Sequence, residues 1–248
     1  MNGRVAWISI APVKGLGLVA CDAVDLSPEG VVENRRFHVV DERDRMVNGK
    51  RLGRLVQVRP AYDDGGGHLR LRFPDGTEAA GPVILGEPVT SLFYGRPRGG
   101  QEVLGPFSEA LSAFAGTALR LVRTERPSNA LDRGRGGSVS LVSSAALTGL
   151  DPRRFRMLLG VDGVAAHAED DWVGHRVRVG GAVVRPTGHT GRCLVTSQHP
   201  DTGTPDMDML QRIRDTRPDD TETALPFGVH GSVVRPGRVA VGDPVVPL

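Results

Sequence analysis

The chain has 248 residues, with 31 Lys+Arg against 29 Asp+Glu and a formal net charge of +2. That balance, with aromatic residues at only 4%, argues against a nucleic-acid partner or a membrane surface, which call for a concentrated basic stripe or stacking platforms. Two cysteines, Cys21 and Cys193, exclude a disulfide-dense scaffold, a four-cysteine zinc site and an iron–sulfur cluster held by this chain alone.

The cations are unusual in type. Only Lys14 and Lys50 are lysines, leaving 29 arginines. A codon-biased genome accounts for most of them, but guanidinium also suits phosphate and carboxylate, which it grips through paired donors. No apolar run reaches the length of a signal peptide or a membrane-spanning helix, so a cytoplasmic location is expected.

In chain order, Val5 to Ile10 reads as a short strand that Ala11-Pro12 breaks before Lys14-Gly15. Leu18 to Leu26 is a second, ended by the turn Ser27-Pro28-Glu29-Gly30. Strands at Phe37 to Val40, Leu55 to Arg59 and His68 to Phe73 follow, with a hairpin loop over Asp63 to Gly67. Val83 to Leu85 and Val89 to Tyr94 extend this meander. Ser108 to Ala115 carries helical spacing at Leu111 and Phe114 with Gly116 as its stop, and Leu119 to Arg123 is a strand. Thr124 to Gly137, rich in Arg, Pro and Gly, has the composition of a linker.

The second half opens with a strand at Ser138 to Val142, a short helix capped by Ser143 or Ser144, and a helical turn at Asp151-Pro152. Strands are expected at Arg176 to Val179, Ala182 to Pro186 and Leu194 to Thr196. A helix from Met207 to Arg214 capped by Asp206 follows, then strands at Val229 to Val234 and Val239 to Val245. The 33 glycines and 18 prolines favour many short strands. The expected fold is therefore mainly β with a few short helices, as two β-barrel-like domains over 1–123 and 124–248.

The most specific segment is Gly191-Arg192-Cys193-Leu194-Val195-Thr196, followed by His199-Pro200-Asp201-Thr202-Gly203. A lone cysteine reads either as a small buried hydrophobe or as a thiolate favoured by the adjacent Arg192, and so as nucleophile or metal ligand. His189, Cys193 and His199 leave a zinc site open, without a clear fourth ligand. Trp172 and Cys21 read as core residues.

The segment around Cys193 resembles the MOSC domain, found at the C terminus of molybdenum cofactor sulfurases and in amidoxime-reducing component enzymes. The resemblance continues through Ala168-Glu169-Asp170-Asp171-Trp172-Val173-Gly174, Arg178-Val179-Gly180, Phe227-Gly228-Val229 and Pro236 to Asp243. In the first half, Pro12-Val13-Lys14-Gly15 and Gly30 to Asp41, with Asn34-Arg35-Arg36-Phe37, resemble the partner N-terminal β-barrel domain.

The resemblance implies that Cys193 ligates molybdenum carried by a pterin (the molybdenum cofactor, molybdopterin) and that basic side chains hold the pterin phosphate. Those roles fall to Lys14, Arg35 or Arg36, Arg51, and Arg154 or Arg156, with Arg192 beside the cysteine and the Ser143 and Ser144 hydroxyls near the phosphate. Three positions depart from the family pattern. Asn34 replaces an Asp, Gly15 replaces a Ser or other small residue, and Met157-Leu158 replaces a Pro-Asn pair.

The implied activity is a molybdenum-dependent oxidoreductase acting on small N-hydroxylated or related N–O substrates. It would draw electrons from a separate ferredoxin, cytochrome or flavoprotein. The alternative is a persulfide carrier or cofactor-delivery protein without redox catalysis, although the chain lacks the pyridoxal-phosphate domain of full sulfurases.

Overall fold

The computed structural model describes residues 2–126, 137–217 and 223–248. The linker expected from Thr124 to Gly137 falls mostly on 127–136, outside the described residues. No helix among the described residues is long and apolar enough to cross a membrane.

The first-half strands are β1 (Gly3–Ile10), β2 (Val19–Cys21), β3 (Ala23–Leu26), β4 (Phe37–Val40), β5 (Met46–Val47) and β6 (Arg59–Asp63). They continue as β7 (His68–Arg72), β8 (Glu78–Pro82), β9 (Ile84–Phe93) and β10 (Arg96–Leu104), then α1 (Phe107–Ala115) and β11 (Arg120–Thr124). Next come β12 (Val139–Ser143), β13 (Leu159–Asp162), β14 (Val177–Val179) and β15 (Ala182–Gly191). The chain ends with α2 (Met209–Thr216), β16 (Pro226–Arg235), β17 (Gly237–Ala240) and β18 (Pro244–Pro247). The mainly β architecture read from the sequence holds.

Seven strands close into a barrel in the order β13-β12-β16-β15-β14-β18-β1, with β1 pairing back onto β13 and β2 appended beside β1. Closure leaves these strands without a free edge. β1 buries Val5 and, past the register shift between Val5 and Trp7, Ile8, which join Leu141, Leu159, Val177 and Val229 in one core. The first strand of the chain thus belongs to the barrel of the last ones. Its Trp7 lies over Gly160, where a Cβ would come within 2.2 Å of the indole.

The other first-half strands form a five-stranded sheet, β5-β4-β11-β10-β9, and a three-stranded sheet, β6-β7-β8. Both surround a second core that includes Phe37, Leu55, Leu69, Phe107 and Leu121. α1 ends as expected, at Gly116 with φ 72°.

Several expected elements differ. The strands expected at Leu18 to Leu26 and Val239 to Val245 each divide in two, as β2 with β3 and β17 with β18, and those at Val83 to Leu85 and Val89 to Tyr94 are one strand, β9. Leu55 to Arg59 is a 3-10 turn over Gly53–Gln57, which buries Leu55 and Val58, three residues apart, in the second core. Leu194 to Thr196 is likewise a 3-10 turn, Leu194–Ser197. α2 starts at Met209 and is capped by Asp208, whose carboxylate accepts from the Gln211 amide at 3.0 Å, because Asp206 is engaged by Arg154. β5, β8, β10 and β13 were not anticipated, nor was β6 beyond Arg59.

The halves are clasped where two loops meet. A Cβ on Gly203 would lie 1.9 Å from the Gly53 carbonyl oxygen, so the backbones touch at a separation only glycine permits. Around that contact Gln57 Nε2 donates to the Thr202 carbonyl at 3.1 Å and Gln198 Nε2 to the Gly49 carbonyl at 2.7 Å. Arg59 pairs with Asp201 at 2.8 Å. Gly203→Ala should therefore destabilise by roughly 3 kcal/mol. Gly67→Ala, equally left-handed but with nothing near its Cβ, should lose only about 1 kcal/mol. Equal denaturant midpoints for the two variants would contradict the clasp.

Candidate functional site

A cavity of about 180 Å³ opens between the halves. Its lining includes Cys193 and five cations: Lys14, Arg35, Arg154, Arg156 and Arg192. No acidic side chain is among the described residues that line it.

Local backbone geometry selects which basic residue arrives. Lys14 sits in the turn after β1, its amide donating to the Phe37 carbonyl at 2.8 Å, and its ammonium lies 5.7 Å from the Phe93 ring centroid. Arg35 has φ 56°, which turns it into the cavity, while its neighbour Arg36 is buried and donates to the Thr124 carbonyl at 3.1 Å. The 3-10 turn Pro152–Phe155 is capped by Asp151 and released by Arg156 at φ 52°. Arg156 Nη2 donates to the Leu16 carbonyl at 2.7 Å.

Asn34 Oδ1 accepts from the Ala11 amide at 2.9 Å. It supplies the acceptor a carboxylate would offer there without placing a negative charge in the lining. Gly15 has φ +91°, a conformation a side chain would strain.

The electrostatics are one-sided. Burial, then the positive charges of Arg35 and Arg59, hold the Arg156 guanidinium below the ordinary arginine range. Arg154 is instead stabilised in its charged form by a two-pronged pair with Asp206, at 2.8 and 2.5 Å. Arg192 is committed to the scaffold. Nε donates to the Phe227 carbonyl at 2.9 Å, Nη1 to the Phe155 carbonyl at 2.8 Å, and Nη2 reaches Met157 Sδ at 2.8 Å.

Cys193 is half-buried and heads the Leu194–Ser197 turn. The Thr196 amide and hydroxyl both donate to its carbonyl at 2.9 Å, so the turn fixes the cysteine backbone.

The other expected site residues lie elsewhere. Arg51 is about half exposed and pairs with Asp41 at 2.8 Å. Ser143 is buried and accepts from the His167 amide at 2.8 Å; neither it nor Ser144 lines the cavity. His189 lies beside Asp170 and His199 Nδ1 accepts from the Asp201 amide, so the zinc alternative does not assemble. No three metal-ligating side chains converge among the described residues. Met157 and Leu158 are both core residues, and Leu158 also lines the cavity, which makes that wall apolar.

Sequence reasoning missed Ser138, Ser140, Asn48 and Tyr94 in the lining. The two serines could have been found from the two-residue period that runs from Ser138, just before β12, into that strand, which puts them on one face. The Ser138 hydroxyl is buried with no partner among the described residues.

Behind Lys14 lies His38, fully buried and 2.7 Å from Ser91 Oγ. Burial first, then the charge of Lys14, pushes its pKa from the ordinary 6.5 down to about 3. The unfolded chain therefore binds a proton that the folded one refuses between those values. This contribution is fully present above pH 6.5 and is lost as pH falls, by about 1.4 kcal/mol per unit. From pH 7 to 5 the stability of the wild type relative to His38→Gln should drop by about 2 kcal/mol. A pH-independent difference would contradict this.

A cavity of like charges should prefer an anion. Arg156→Met is expected to be at least as stable as wild type in low-salt buffer without phosphate. It should lack the phosphate-dependent rise in stability of wild type, about 2.7 kcal/mol at a hundredfold excess over Kd. An equal phosphate response in both proteins would refute the assignment.

Residues 105–246 match the MOSC domain and residues 2–90 the MOSC N-terminal beta barrel domain. Mitochondrial amidoxime reducing component 2 of Bos taurus is 27% identical, over 99% of this chain and 83% of that protein. Mitochondrial amidoxime-reducing component 1 of Xenopus laevis is 26% identical, over 98% and 81%. The crystal structure of the YuaD protein from Bacillus subtilis, 14% identical, aligns over 99% of this chain and 94% of its own at a TM-score of 0.44. The chain belongs to the MOSC family, as a MOSC domain accompanied by the MOSC N-terminal β-barrel domain.

Proposed function

We propose that this protein is a molybdenum-dependent oxidoreductase that reduces N-hydroxylated or related N–O substrates. Its electrons would come from a separate ferredoxin, cytochrome or flavoprotein. The observation that supports this most is Cys193 in a cavity whose described lining carries five cations from both halves and no carboxylate. The names of the relatives point to amidoximes, one N-hydroxylated class.

The donor set fits the pterin cofactor of molybdenum. Cys193 would ligate the metal through its thiolate, and Lys14, Arg35 and Arg156 would clamp the phosphate. The unpartnered Ser138 hydroxyl offers one further donor. When bound, the metal supplies the two-electron reduction of the N–O bond.

The chain's own residues do the positioning. The Leu194–Ser197 turn holds the Cys193 backbone, and Arg192 ties that turn to β16 and to the Phe155 carbonyl. Phe155, Leu158 and Val195 keep part of the wall apolar and limit water.

Protein purified from a cofactor-competent host should contain molybdenum and pterin near one per chain, and Cys193→Ser should lose both metal and N–O reduction. Absence of molybdenum and pterin, or indifference to Cys193→Ser, would overturn the proposal. A labile sulfur adduct on Cys193 after treatment with a cysteine desulfurase, without turnover, would favour the sulfur-carrier alternative.

A further inference from the structure

The cavity of about 180 Å³ is smaller than the roughly 300–1,000 Å³ of pockets that engulf drug-sized ligands. Any ligand with more than a small head group must rest its body at the rim, so rim residues decide what that body can be.

One rim residue is placed against local preference. Tyr94 and Gly95 form the two-residue turn between β9 and β10, flanked by the pair Phe93 and Arg96. Both turn residues are left-handed, with φ 51° and 80°. The first position of such a turn favours Asn, Asp or Gly, and an aromatic side chain is strained there. Burial does not offset the strain, because Tyr94 is 62% exposed. Strain kept at an exposed residue on a cavity points to function.

The ring is also held. Asn48, itself in the lining, donates from Nδ2 to the Tyr94 hydroxyl at 2.8 Å. The Lys50 ammonium lies 5.8 Å from the ring centroid. Leu194, directly after Cys193, is another exposed apolar side chain, at 63%.

We propose that Tyr94 is the substrate-selecting residue of this cavity, stacking on planar, π-conjugated bodies of substrates whose reacting N–O end enters beside Cys193. This rests on the reductase reading for the identity of the head group, but not for the stacking itself.

Benzohydroxamic acid and acetohydroxamic acid share one N–O head group and differ as phenyl against methyl. Their affinities for the holoprotein by calorimetry, and their kcat/KM values, should favour phenyl in the wild type. Tyr94→Asn removes the ring and installs a residue the turn prefers, so a folding defect cannot mimic the result. The phenyl preference should fall about 3- to 10-fold in Tyr94→Asn, while Tyr94→Phe, which keeps the ring and removes the hydroxyl that Asn48 bonds, should retain most of it.

An unchanged preference in Tyr94→Asn, or no phenyl preference in the wild type, would overturn the inference. Tyr94-dependent binding without reduction of either compound would uphold it and remove the reductase reading. Reduction of both with a preference indifferent to Tyr94 would do the reverse.

Discussion

Five basic side chains share the lining of one cavity with no carboxylate among the described residues around it, and that concentration of like charge is the constraint the rest of the structure serves. Cations gathered in a partly buried space repel one another and lose hydration, and Arg156 shows the strain most clearly. The chain divides the task. Arg154 is neutralised by Asp206, and Arg192 spends its donors on backbone carbonyls and Met157. Lys14, Arg35 and Arg156 bring further positive charge to the lining. His38 stays neutral behind Lys14 and adds no further repulsion at physiological pH.

Such a cavity must be held from outside itself, and the clasp between the halves does so. Gly53 and Gly203 touch, Gln198 bonds to Gly49, and the same Gln198 follows the turn that Cys193 heads. Around it Arg59 and Arg153 share Asp201, and Arg153 also holds Asp151, the cap of the turn that delivers Arg156. These are partly exposed pairs worth little one by one, but they form a network on the element that aims Arg156. β1 adds a second tie, because the strand that leads to Lys14 is itself a stave of the C-terminal barrel.

Much of this was legible in the residues. Short apolar runs found β1 and β4, alternation found β7, helical spacing with Gly116 found α1, and the segment around Cys193 led to the family and to the thiol in the cavity. Two 3-10 turns were mistaken for strands, because short apolar runs such as Leu55 to Arg59 carry no period that separates the two. The choice between neighbouring arginines was illegible for a different reason. Arg35 and Arg36 are chemically identical, and only the left-handed backbone at Arg35 sends it to the cavity while Arg36 turns to Thr124. Ser143 and Ser144 were expected by resemblance, yet the cavity is reached by Ser140 of β12 and by Ser138 just before that strand. Tyr94 was hidden because it breaks the preference of its own turn.

The central claim is that one anion sits beside one thiol, and alkylation of cysteine in cofactor-free protein tests it most directly. Inorganic phosphate should slow the reaction of Cys193 with iodoacetamide in a saturable way, should leave Cys21 unaffected, and should have no such effect in Arg156→Met. A Cys193 rate indifferent to phosphate, or protection that persists without Arg156, would contradict the account.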